Sequence, residues 1–160
     1  MGMNALVVCL FEESEALEHL AFKLEQEQLV LVAGKPRLLA RNSAEFEQAV
    51  KALDDVSRRR EQLVVVAAAE LGLPPTTTLS ALADAATDGD ERRVLGERRQ
   101  IMRAQVARIS SLCAKNREIL ARNLAATADA LALLGENPSY TAMATTTVGA
   151  PRSRMLDARA

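Results

Sequence analysis

From Asp90 to Leu134 the sequence contains no proline and a single glycine, Gly96. A helix running through this whole stretch would be about 67 Å long at 1.5 Å per residue. No globular domain of 160 residues encloses such a rod. It is stable only if other long rods lie along it. Its apolar and small residues supply the seam for that contact. They fall at Met102, Gln105, Ile109, Leu112, Asn116, Ile119, Asn123, Ala126, Ala130 and Leu133, in steps of three and four. Gly96 costs about 1 kcal/mol relative to alanine, so the first two turns are expected to fray or bend. Gly135, Asn137 and Pro138 end the pattern.

The partner rods lie upstream. A first helix is expected from Asn4 to Ala33, with a heptad seam at Leu6, Leu10, Leu17, Leu20, Leu24 and Leu31. Glu13 and Glu27 take the two remaining seam positions and weaken it. Gly34 supplies a C-cap, and Pro36 can open a turn but not continue the old helix. A second helix is expected from Asn42, where Asn42 and Glu45 fit a capping box. Its apolar face is Phe46, Ala49, Val50, Leu53, Val56, Leu63 and Ala67, and it stops near Gly72 before Pro74 and Pro75. Thr76, Thr77 and Thr78 offer N-caps for a short helix, LSALADAA. Asp88 and Glu91 offer a second capping box for the long rod.

No strand pattern and no repeat of solenoid period appears. The fold class expected is all-α. It is an elongated antiparallel helical hairpin or bundle with coiled-coil-like seams, residues 1–138, followed by a flexible C-terminal tail, residues 139–160. Composition agrees: three Phe, one Tyr and no Trp leave Ala, Leu and Val to fill narrow seams rather than a deep ligand pocket.

Charge is segregated. Residues 1–33 hold six Glu and one Lys, whereas residues 90–122 hold nine basic and four acidic residues. The first and third long helices are thereby suited to lie side by side, parallel or antiparallel, with charge choosing the arrangement. Net charge is -1, so no global field favours nucleic acid. No apolar run is long enough for membrane insertion. The N-terminal stretch lacks a basic n-region and is not read as a signal peptide. A cytoplasmic protein is expected, with Cys9 and Cys113 as structural thiols.

Catalytic chemistry finds no constellation. His19 is the only histidine and sits among glutamates, so it reads as surface. There is no CxxC, no phosphate-cradling glycine loop and no GxSxG, and no cofactor is expected. Arg58, Arg59 and Arg60 read as salt-bridge partners rather than a phosphate site. Two features stand apart. Asn116 and Asn123 lie one heptad apart on the long seam. Either they fix register inside the bundle, or that part of the seam meets a partner together with Ile119. The tail carries Tyr140, Met143, Val148, Met155 and Leu156 among polar residues. It is either a plain terminus or a segment that orders on a partner.

Taken in order, these parts resemble the FlgN-type flagellar export chaperones. The resemblance is carried by the early Leu/Glu helix, by EFEQAVKALDDVSRRREQL, by TLSALA and by KNREILARNL with Asn116 and Leu120. It continues into SYTAMATTTVG, with Tyr140 and Gly149, and ends in RMLDARA. It implies a non-enzymatic chaperone that binds flagellar hook-associated proteins of the hook–filament junction. Such a chaperone prevents their premature polymerisation and delivers them to the flagellar export apparatus. The contacting set would be Asn116, Ile119, Asn123 and the five tail residues, and a homodimer is compatible. The competing reading is a coiled-coil adaptor or self-assembling scaffold.

Overall fold

A computed structural model of the chain describes residues 2–133. It contains α1 (Gly2–Val32), α2 (Pro36–Glu70), α3 (Leu79–Ala85) and α4 (Gly89–Leu133), and no strand occurs among the described residues. The expected tail, 139–160, lies outside them.

α1 and α2 form a tight antiparallel hairpin. At its turn Gly34 adopts φ 62°. The Gly34 N–H donates to Leu31 O at 3.3 Å and the Lys35 N–H to Val30 O at 3.3 Å, the paired bonds of a Schellman cap. Only a glycine enters this left-handed region without strain. α2 then starts at Pro36, not at Asn42. Proline's fixed φ suits the first helical turn, and its missing N–H would have had no intrahelical partner there. Asn42 is therefore an interior, buried residue of α2, and Glu45 bonds Lys23 at 2.7 Å and Arg41 at 3.1 Å instead of closing a capping box. The far end of α2 repeats the turn device. Gly72 has φ 68°, with Gly72 N–H to Ala69 O at 3.1 Å and Leu73 N–H to Ala68 O at 2.8 Å.

α3 begins where the threonines predict. Thr78 Oγ1 accepts from the Ala81 N–H at 3.2 Å. Its C-terminal end is held by Arg92, whose Nη2 donates to Ala86 O at 2.8 Å and Asp84 O at 3.3 Å. The Asp88 carboxylate then caps α4 by accepting from the Asp90 N–H at 2.8 Å. α4 runs unbroken through Gly96, where fraying was expected. Leu95, fully buried beside it, anchors that turn.

The six seam leucines of α1 are all buried. Burying each contributes on the order of 1.5–3 kcal/mol. Five of them, all but Leu31, feed two core clusters. One joins Met3, Leu6 and Leu10 to Val64, Ala67, Ala68, Leu82, Ala83, Ala86 and Leu95, so α3 closes the end of the bundle. The other joins Leu17, Leu20, Ala21 and Leu24 to Ala49, Leu53, Ile109 and Leu112. α1 packs along both α2 and α4, which meet each other far less. α4 runs parallel to α1, since both start at the end closed by α3. The chain reverses at Gly34 and crosses back through α3.

At that closed end the Gly2 N–H, at the start of α1, donates to both oxygens of Glu70, at 2.9 and 3.0 Å. This holds the Glu70 carboxyl below its ordinary value of 4.5. The hydrogen bond from Lys23, with that from Arg41, does the same for Glu45. A carboxyl depressed in the folded state stabilises it above its ordinary value and loses that contribution as pH falls through the folded value. Stability should therefore be insensitive to these two groups from pH 7 down to about 5. It should fall as the solution is acidified below 4.5. Urea unfolding of Glu70→Gln across that range should show a shallower acid loss than the unaltered chain.

Candidate functional site

The richest polar arrangement lies along the interface of α1 with its two neighbours. On the α2 side, Glu13 is buried. Its Oε2 lies 2.7 Å from Arg60 Nε, and its Oε1 accepts from the Ser57 hydroxyl at 2.8 Å. The residue that interrupts the leucine seam is thus the partner that Arg60 requires. Arg59 pairs with Glu12, and Arg58 pairs with Asp54. All three arginines of the run are engaged in ion pairs within the bundle, as the sequence reading expected.

On the α4 side, a ladder of side chains ties the two parallel helices together. Ser14 Oγ donates to Gln105 Oε1 at 3.0 Å, and Gln105 Nε2 donates to Ser14 O at 3.1 Å. Arg108 reaches Glu18 at 2.9 Å and Glu25 at 2.6 Å, which places the acidic first helix beside the basic third rod. Asn116 Nδ2 donates to Leu24 O at 2.9 Å and to Glu27 Oε2 at 2.8 Å. Asn123 Nδ2 donates to Leu31 O at 3.0 Å. Two asparagines one heptad apart on α4 therefore meet carbonyls one heptad apart on α1. The second seam interruption, Glu27, is a partner of the first asparagine.

The structure brings Asn116, Ile119 and Asn123 together on one side of α4, along the last turns of α1. Asn116 is buried, Ile119 half-buried and Asn123 exposed apart from its bond to Leu31. Tyr140, Met143, Val148, Met155 and Leu156 lie outside the described residues. Sequence reasoning placed Gln105 on the seam but gave no role to Ser14 or Arg108. Both sit off the leucine seam, so the heptad template does not single them out. The acidic and basic bias of the two helices was the one signal for Arg108. His19 is exposed. Both thiols are free, and burial pushes the Cys113 thiol up. Among the described residues no cluster of metal-ligating side chains occurs and no helix is long and apolar enough to cross a membrane.

Two substitutions read this interface. Glu13→Ala leaves Arg60 in a largely buried setting without its carboxylate and should lower unfolding stability by about 2–3 kcal/mol. At Asn116 the two outcomes should diverge. Asn116→Ala removes two hydrogen bonds and should lose about 1–2 kcal/mol. Asn116→Leu should raise the melting temperature, because an apolar seam residue packs better and the buried Oδ1, which accepts no hydrogen bond among the described residues, is removed with it. Urea and thermal unfolding followed by circular dichroism check both.

A family model described as FlgN protein matches residues 1–144. The match takes in all four helices, Tyr140 and Met143, and stops short of Val148, Met155 and Leu156. No curated protein and no solved structure gives a match. An all-α rod bundle assembled in this order, matched over most of its length, places this chain in the FlgN family, whose members are chaperones of flagellar assembly.

Proposed function

We propose that this protein binds flagellar hook-associated proteins in the cytoplasm, keeps them from polymerising early and delivers them to the flagellar export apparatus. Membership of the FlgN family supports the export-chaperone role. The choice of client is what the resemblance to that family implies.

The observation that carries it is the overhang of α4. Asn123 is level with Leu31, and α1 ends at Val32, whereas α4 continues to Leu133. The last turns of α4 have no turn of α1 beside them, and Leu133 is 89% exposed. This free end leads directly into the segment that carries Tyr140, Met143, Val148, Met155 and Leu156. A helical terminal segment of a client can lie against such a rod end, with the tail anchors closing over it. Ile119 and Asn123 would border the client, and Asn116 behind them would hold α4 at the right height. Ordering the tail costs conformational entropy. That keeps binding moderate and release reversible by burial and entropy alone, without a chemical step.

A chain ending at Pro138 should stay folded, because both core clusters are built from residues before it. It should lose about 2–4 kcal/mol of client affinity, a weakening of roughly 30- to 1,000-fold. Tyr140→Ala should give part of that loss and Thr145→Ala almost none. Calorimetric titration with purified junction proteins measures the affinities, and circular dichroism checks the fold. Equal affinity for the shortened and full chains would make the tail a passive terminus.

A further inference from the structure

The chain has three phenylalanines, and only Phe46 packs against a core cluster. Phe11 and Phe22 lie on the outer side of α1, 42% and 52% exposed. Val8 and Leu29 share that side and are 57% and 70% exposed. Positions 8, 11, 15, 18, 22, 25 and 29 follow alternating steps of three and four. They form a second heptad stripe, turned away from the leucine seam. In a small core with almost no aromatic residues, two of the three aromatics of the described helices are held outside it.

The stripe is not uniformly apolar. Glu15, Glu18 and Glu25 occupy the intervening stripe positions. Glu18 and Glu25 are tied to Arg108, while Glu15 makes no ion pair among the described residues. On the α4 side the Arg98 guanidinium lies over the Phe11 ring, 3.7 Å from its centre, and Lys23 Nζ lies over the Phe22 ring at 5.9 Å, so each ring offers a partner its remaining exposed surface. The surface is thus two apolar spots, Val8 with Phe11 and Phe22 with Leu29, with Glu15 and Glu18 between them and Glu25 within the second.

A second copy of the chain fits this surface poorly. The antiparallel register that stacks Phe11 on the copy's Phe22 also sets Glu15 against its Glu18. A parallel register sets Glu15 against Glu15. The charge favours a complementary, basic occupant.

We infer that the outer stripe of α1 is a docking site for an amphipathic helix of an export client. That helix would carry two apolar anchors about three turns apart, roughly 16 Å, with a lysine or arginine between them facing Glu15. The inference rests on the proposed function for the identity of the client, and it adds a surface remote from the tail. α1 then works on both sides: its leucine seam holds the bundle, and its phenylalanine stripe receives the partner helix.

The test uses the full chain and purified hook–filament junction proteins. Phe22→Ser with Leu29→Ser should weaken calorimetric binding at least tenfold while the melting temperature stays within a few degrees. Glu15→Lys should weaken it severalfold. Val65→Ser, on the exposed side of α2, should leave it unchanged. A photo-crosslinker at position 22 should link to the junction protein. The docking site is overturned if the double variant binds as tightly as the unaltered chain, even though that chain binds; the proposed function then stands. If the unaltered chain binds no junction protein, both readings fall. Linkage of position 22 to residues 139–160 would instead assign the stripe to the chain's own tail. A dimer in sedimentation velocity that the double variant dissolves would assign it to a second copy. Either result overturns the inference.

Discussion

The burial of one arc of α1 against two helices at once is the contact on which the other elements depend. α2 and α4 have little direct contact, so each is held chiefly through the leucines of α1. A helix that serves two neighbours needs a wide apolar arc. Cys9, Ser14, Ala21 and Glu13 widen the leucine seam to that width, and all four are buried. Small alanines on α2, Ala49, Ala67 and Ala68, are buried in its contact with α1 and the end of the bundle.

Apolar packing alone would let such rods slide, because one leucine layer resembles the next. Polar side chains remove that freedom. Glu13 with Arg60 and Ser57 fixes α2. The Ser14–Gln105 exchange and the two asparagines fix α4. Each pairing forms at one height, since a displacement by a single layer would strand a buried charge or amide. The Glu interruptions of the α1 seam are therefore part of the alignment, and the overhang of α4 follows from it. Had α4 slipped by one heptad toward the closed end, the free rod end would shrink by about 10 Å.

Glu45, Glu70 and Arg108 owe their shifts to hydrogen bonds and ion pairs that reach across helices, Arg93 to ion pairs within α4, and Cys113 to burial. The surfaces left over are the outer side of α1 and the end of α4. Both are long, shallow and helical, and a partner that lies along a rod can use them.

The periodicity and capping residues of the sequence determined the helices themselves. Leucine spacing gave the buried side of α1, Thr78 gave the start of α3, and the unbroken run from Asp90 gave the long rod. These signals are local, so they are legible without tertiary context. The start of α2 was misplaced because two local signals competed. Asn42 and Glu45 spell a capping box, but Pro36 directly after the Gly34 turn nucleates the helix first. Only the tertiary structure decided that α4 runs parallel to α1. Segregated charge favours proximity and is indifferent to direction, whereas the crossing through α3 brings the start of α4 to the start of α1. Only the structure likewise gave Glu13 and Glu27 their partners. Arg60 and Asn116 lie far from them along the chain, and no local pattern pairs residues across that distance. The outer phenylalanine stripe was hidden for a related reason: in the sequence it overlaps the leucine seam, and packing alone decides which of the two heptads faces inward.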